Sequence, residues 1–184
     1  MTSTNSQSAA SHHPESSRIS RAIARRSFCM LATVSPAGRP HVAAVIYEHV
    51  AGRLYISTIS TSRKARNVAD ESHVAVVIPV RRLPVGAPPS TIQFQATAAL
   101  LAIDSDEIVA LSGDGRLGAI TGHGELDLPD SCIIRIDLPQ RVHTYGLGMS
   151  LWELARDPLG GSGEVVLDGS LVERSVASVR ALDL

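Results

Sequence analysis

At 184 residues the chain is long enough for one domain with a sizeable core, or for one domain plus a tail. A formal charge of -1 and a pI of about 6.6 give no global field that would favour nucleic acid, an anionic membrane or an acidic partner, so any anion site must be local. The two cysteines, Cys29 and Cys132, lie far apart in apolar runs without metal-type spacing. They read as buried thiols in a reducing, cytoplasmic compartment rather than as a disulfide framework. The sequence opens without a signal-peptide pattern, and no run has the length of a membrane span.

Residues 1–15 are polar and low in complexity, and are expected to form a disordered tail because they cannot bury enough apolar surface to offset ordering entropy. Ser16 or Ser17 then offers an N-cap for a short helix, with Ile19, Ala22 and Ile23 as its apolar stripe beside Arg18, Arg21, Arg25 and Arg26. Residues 28–34 read as a buried strand, Ser35-Pro36-Ala37-Gly38 as a tight turn and residues 41–49 as a second strand. Ala51-Gly52 turns the chain into residues 54–57, completing a three-strand meander. Residues 61–69 read as a helix with Ala65 and Val68 inward and Arg63, Lys64, Arg66 and Asn67 free for polar work. Residues 73–80 are almost all apolar, as in a strand covered on both faces, and the prolines and glycine of residues 81–90 demand a loop. A long strand over residues 91–103 places Gln93, Gln95 and Thr97 on one face and Ile92, Phe94, Ala96 and Ala98 on the other. Asp104 and Ser105 can cap a helix running to Leu111, after which the glycine-rich residues 113–124 form a mobile connection. Residues 132–145 are the last long strand, broken or bulged near Pro139. A short amphipathic helix around residues 151–156 leads into glycine-rich, weakly ordered chain.

Short strands with tight turns, and too few crossover helices for a parallel sheet, predict a mainly β chain with some helix, an α+β protein built on a small antiparallel barrel. The sequence contains no glycine fingerprint between a strand and a helix, no nucleophile elbow and no P-loop. Three segments follow: the tail over 1–15, a cofactor-binding barrel over 16–148, and a C-terminal extension over 149–184 packing on or near it.

The chemistry concentrates in Ser57-Thr58-Ile59-Ser60-Thr61-Ser62-Arg63-Lys64-Ala65-Arg66-Asn67, which contains the only lysine of the chain. Hydroxyls at a strand end, just before a helix start, put O–H donors and free backbone N–H groups at the positive end of a helix dipole, where an anion is stabilised. Arg63 offers a two-pronged contact to phosphate oxygens and Lys64 a point charge. The plainer reading is that Thr61 or Ser62 caps the helix and the cations are solvated; from these residues alone both readings stand.

In their order, several pieces of the chain resemble the pyridoxamine 5'-phosphate oxidase-like split-barrel flavoproteins and their deazaflavin-using relatives. These are Cys29-Met30-Leu31-Ala32-Thr33-Val34-Ser35, Gly38-Arg39-Pro40-His41-Val42, Leu54-Tyr55-Ile56-Ser57-Thr58, Ser62-Arg63-Lys64-Ala65-Arg66-Asn67-Val68 and His73-Val74-Ala75-Val76-Val77. The resemblance implies a split β-barrel, a homodimer with the cofactor ring at its interface, and phosphate contacts from Ser57, Thr58, Ser62, Arg63 and Lys64. It also implies that Gln93 and Gln95 line the cofactor cleft, where their amides could meet the polar edge of a ring; their plainer role is exposure on an amphipathic strand. Aromatics are scarce, so Val45 and Ile78 are the expected apolar contacts of the ring. FMN is the first expectation, coenzyme F420 the second and haem the third.

The histidines lack ligand-like spacing, and no side chain is singled out as catalytic or metal-binding. The acidic residues Asp104, Asp106 and Glu107 read as a helix-start charge pattern. The arginines Arg18, Arg21, Arg25, Arg26, Arg81 and Arg82 form either solvated faces or a groove for the acidic tail of a deazaflavin. Residues 144–153 carry no Arg-x-His pattern of the kind that binds substrate in authentic pyridoxamine phosphate oxidases. The expected activity is therefore hydride transfer to or from a small organic substrate by FMN or coenzyme F420. The alternatives are a flavin, haem or vitamin B6 carrier without activity, and a structural dimer without a cofactor; no nucleic-acid or membrane partner is expected.

Overall fold

The computed structural model describes residues 12–81, 90–122, 124, 126, 128–157 and 159–167. The expected tail up to residue 11, most of the proline-rich loop (82–89) and residues 168–184 lie outside the described residues. Helix α1 (His12–Ala24) begins ahead of the cap expected at Ser16 or Ser17. Pro14 sits in its first turn, where no backbone N–H is required. Ile19 and Ile23 are its buried stripe, as their spacing demands.

Strands β1 (Phe28–Val34) and β2 (Pro40–Ile46) form the expected hairpin, in register from Phe28↔Ile46 to Val34↔Pro40. The turn closes through Gly38, whose φ of 72° suits a residue without a side chain and whose N–H donates to the Ser35 carbonyl at 2.8 Å. The strand expected over 41–49 breaks at Tyr47. Its N–H donates to the Ser27 carbonyl (2.8 Å), and its fully buried hydroxyl donates to the Ile23 carbonyl (2.8 Å). Beyond that break, β3 (Glu48–Val50) pairs with β4 (Arg53–Ile59), so the chain passes at Tyr47 from one half of the sheet to the other.

After helix α2 (Arg63–Asp70) come β5 (His73–Arg81) and the thirteen-residue β6 (Ser90–Ala102). The first part of β6 pairs with β5, and its residues 91–93 also pair with β8 (Arg141–Tyr145). Its last part, Ala98 to Ala102, pairs with β7 (Ser131–Asp137), which in turn pairs with β4. The path runs β2-β1-β5-β6-β7-β4-β3, with β8 and then β9 (Ser162–Val166) branching from β6. All these pairings are antiparallel, and the sheet curls into a half-barrel carrying a few helices, the α+β split barrel expected.

Three local expectations are corrected. The strand read over 132–145 is two strands, because Leu138 donates its N–H to the Gly52 carbonyl (3.0 Å) and Pro139 has none to give a ladder. Within the glycine-rich stretch after α3 (Asp106–Gly113) lies a short helix, α4 (Gly118–Thr121), anchored by buried Leu117 and Ile120. Chain expected to be weakly ordered after α5 (Leu151–Arg156) includes β9, whose Val165 is buried.

The main core lies inside the curled sheet, where Leu31, Val76, Phe94, Ile56 and Ile134 meet beneath α1 and α2. A second cluster on the other face of β4 and β7 packs Tyr55 and Ile133 against Ile108, Leu111, Leu117 and Ile120. Glu107 fastens that cluster: its carboxylate accepts from the Tyr55 hydroxyl (2.6 Å), Arg53 Nη1 (3.1 Å) and Arg135 Nη1 (2.9 Å). What read as a helix-start charge is thus a structural tie. Burial acts to raise the Glu107 pKa, but the Tyr55 hydrogen bond and the charges of Arg135 and Arg53 outweigh it and hold it below its ordinary value. Burial, with the charge of Arg116, lowers the pKa of His49 below its ordinary 6.5.

Both groups bind a proton less readily in the folded chain than in the unfolded one, so stability is full above their ordinary values and falls as pH falls through the folded values. Thermal melts should therefore decline below pH 6.5 and again below pH 4.5. Glu107→Gln should cost about 2 kcal/mol at neutral pH and flatten the second limb. A variant that melts like the parent chain at pH 7 and at pH 4 would show that the tie carries no stability.

Candidate functional site

Helix α2 starts where the sequence places it. Ser62, in extended conformation, is its N-cap; its side chain accepts from the Ala65 N–H (3.3 Å) and shares a hydrogen bond with the Thr58 hydroxyl at 3.1 Å. The N–H groups of Arg63 and Lys64, on the first turn, have no acceptor within the helix. Ala65 and Val68 are buried as expected, whereas Asn67 is not free for polar work. It is buried, and its Nδ2 donates to the Thr33 hydroxyl of β1 at 2.9 Å, fixing the helix against the sheet.

Alternation along β4 separates two of the expected phosphate contacts. Leu54 and Ile56 belong to the main core and Tyr55 to the second cluster, so Thr58 continues the first face and Ser57 the second. Thr58 thus stands with Ser62 and with Cys132, its partner across the ladder, while Ser57 faces the side of Ile133. Lys64 reaches toward the Thr58 side: burial lowers its pKa, and nearby Cys132 acts in the opposite sense. Cys132, mostly buried, has its own pKa raised by burial against the pull of Lys64. Among the described residues the Lys64 ammonium has no hydrogen-bond or ion-pair partner, an uncompensated, half-buried charge at a helix start.

Arg63 points elsewhere. With Arg66, Asn67 and Asp70 it forms the α2 wall of a groove of about 480 Å³ whose opposite wall is the β1–β2 turn, including Arg39 and His41. The turn is held by the Arg39 N–H, which donates to the Ser35 hydroxyl at 3.1 Å.

Gln93 and Gln95 lie in a second groove of about 390 Å³, on the outer face of the sheet. The registers set that face out in rows: Ala44, Met30, Val77, Gln93, His143 and Glu164 stand side by side, and Val42, Ala32, Ala75 and Gln95 form the next row. Residues 73–80 are therefore not covered on both faces in this chain: Val74, Val76 and Ile78 are buried, and Ala75 and Val77 line the outer groove. Val45 and Ile78, expected against the ring, are core residues on the inward face; of their outward neighbours Ala44 is exposed and Val77 half-buried. The seven expected contacts thus fall into three places. Thr58, Ser62 and Lys64 cluster at the start of α2, next to Arg63 on the wall of the turn groove. Ser57 faces away, and the two glutamines are on the outer sheet.

The outer groove also holds Arg141 and His143, of which the sequence reading singles out neither as a site residue. They form an Arg-x-His pair just upstream of residues 144–153, and a spacing of two on a strand places both side chains on one face. Arg141 is paired with Glu164 at 2.9 Å. The arginines of α1 and the two that follow it line neither groove; Arg21 Nε donates to the Ser17 carbonyl (3.1 Å), and the Arg26 guanidinium to the Val80 carbonyl. Among the described residues there is no cluster of histidine, cysteine or carboxylate side chains that could hold a metal, and no helix is long and apolar enough to cross a membrane.

Known proteins with this geometry share little sequence with it. The fold is similar to that of the heme binding protein from Mycobacterium smegmatis, with a TM-score of 0.61 at 17% identity over 88% of this chain; the chain spans about 60% of that protein's length. It is similar to HutZ, the heme storage protein from Vibrio cholerae, with a TM-score of 0.55 at 23% identity, covering 71% of this chain and 92% of the other. A FAD-binding protein from Mesorhizobium loti gives a TM-score of 0.54 at 15% identity, covering 67% of this chain and 87% of the other. No curated protein is significantly similar in sequence. The family model described as pyridoxamine 5'-phosphate oxidase matches residues 16–144. With that match spanning most of its length, the chain belongs to the pyridoxamine 5'-phosphate oxidase family.

Proposed function

We propose that the chain is an oxidoreductase that binds FMN or coenzyme F420 and transfers a hydride to or from a small organic substrate. The observation that carries this reading is the half-buried, unpartnered Lys64 beside the Ser62 cap: a cation withdrawn from water without a counter-charge is relieved by a bound phosphate. The residues present fit such a group. The Thr58 and Ser62 hydroxyls, the first-turn N–H groups and Lys64 supply donors, and Arg63 a guanidinium at the groove edge. The ring of the cofactor supplies the hydride chemistry. The chain's own part is to hold the phosphate, to offer a flat apolar strip through Met30, Ala32, Ala75 and Val77, and to present the Gln93 and Gln95 amides to the ring edge. Arg141 and His143, beside Gln93, are placed to orient a polar substrate over that strip.

The same outer face supports a homodimer. Val42 is 60% exposed and Ile46 56%, apolar surface that a second copy would cover while closing the outer groove to water. A carrier role has support of its own in the exposed imidazole of His143, which lines the outer groove and could ligate haem.

Titration of the purified chain with riboflavin, FMN, F420 and haemin separates these readings. Riboflavin should bind much more weakly than FMN, and Lys64→Ala and Arg63→Ala should each weaken FMN or F420 binding by about 1–3 kcal/mol. Unchanged affinity in both variants would remove the phosphate from α2. A Soret band lost in His143→Ala, with no flavin bound, would favour the carrier. By light scattering the parent chain should run as a dimer and the double variant Val42→Asp, Ile46→Asp as a folded monomer; a monomeric parent chain would sink the shared-interface arrangement.

A further inference from the structure

We propose that Glu164 sets the specificity of the outer groove: by holding Arg141 it turns away substrates that would bring a carboxylate or phosphate there, and leaves the groove to an uncharged polar substrate, a carbonyl or amide compound. This rests on the placing of the substrate in that groove and names its chemical class. Arg141 is the one arginine or lysine among the described residues that line the groove, so it is the group that would draw an anion in. It is not free to do so. Its Nη1 stands 2.9 Å from Glu164 Oε1, and the pair cancels the fixed positive charge of the groove.

Across the β8–β9 ladder the neighbour of Glu164 is His143, whereas the neighbour of Arg141 is Val166. The Glu164 carboxylate therefore reaches diagonally to the guanidinium, a span open to long side chains on one face of a sheet. The fold does not require this pair. The side chains of Arg141 and Glu164 are 72% and 45% exposed, and an ion pair so open to water adds little stability. The ladder from Arg141↔Val166 to Tyr145↔Ser162 and the buried Val165 hold β9 without it. Two cation positions of the chain are thus built in opposite ways. At the start of α2, where a phosphate is proposed, Lys64 has no hydrogen-bond or ion-pair partner among the described residues, while beside the apolar strip Arg141 is neutralised before any ligand arrives. A carboxylate approaching Arg141 must displace Glu164 or lie beside its charge; an amide or carbonyl oxygen can accept from the remaining guanidinium N–H groups and leave the pair intact. β9 lies beyond residues 16–144, so the filter comes from chain outside the family match.

The test is a ligand-observed NMR titration of the full chain, with and without FMN, using benzoate and benzamide, planar probes of similar size that differ in charge. The parent chain should bind benzamide about tenfold more tightly than benzoate. Glu164→Gln should gain about tenfold for benzoate while its benzamide affinity changes less than about twofold, and adding Arg141→Ala should abolish that gain. Equal binding of the two probes by the parent chain, which needs no variant to measure, would overturn the proposal. So would a Glu164→Gln variant without the gain, a gain that survives Arg141→Ala, or binding of neither probe. Because the probes are read with FMN and without it, a failure of FMN to bind falls on the cofactor reading alone.

Discussion

The two halves of the sheet meet on one strand, and that is the constraint from which the rest of the molecule follows. β6 gives its early residues to β5 and β8 and its late ones to β7, so a single run of alternating residues must face the core in one half and join the other half without losing register. A one-residue slip would exchange Ile92 and Phe94 for Gln93 and Gln95 in the core, burying amides without partners. The same alternation sets the glutamines in the outer groove. Folding and the display of polar groups there are therefore one event.

Placement of α2 follows from the strand framework by a different route. The helix is only eight residues long, and its stability comes from what it buries rather than from its own length. Ala65 and Val68 supply the apolar contact and Asn67 supplies direction, because its amide has one partner, Thr33, within the barrel wall. That leaves the two ends of the first turn to face different ways, Lys64 toward β4 and β7 and Arg63 toward the β1–β2 turn. A polar residue inside the barrel wall thus decides where two cations outside it are aimed.

Much of this was legible in the sequence. The β1–β2 hairpin, the Ser62 cap, the two faces of β6 and the inward Ala65 and Val68 are local consequences of turn chemistry and periodicity, and each stands where it was read. What escaped was set by partners distant in the chain. Tyr47 breaks a strand because its hydroxyl meets the Ile23 carbonyl, and no local pattern announces that bond. In the sequence Asn67 reads as available because its partner, Thr33, is far upstream, and Glu107 reads as a helix-start charge because Arg53, Tyr55 and Arg135 come from two other strands. The resemblance implies phosphate contacts from both Ser57 and Thr58, although a strand sends neighbours to opposite sides. The turn groove was invisible for a simpler reason: Arg39 and Arg66 are brought face to face only by the packing of α2 on the hairpin.

Lys64 is the only lysine in the chain. Its lowered pKa leaves more of the nucleophilic free amine near neutral pH than an ordinary surface lysine would have. An amine-selective reagent used on the folded protein therefore meets one ε-amino group, and that group stands at the start of α2. Apart from the α-amino group, the chain offers a spectroscopic label or an affinity tether one amine to attach to, placed by the same desolvation that makes the position suited to an anion.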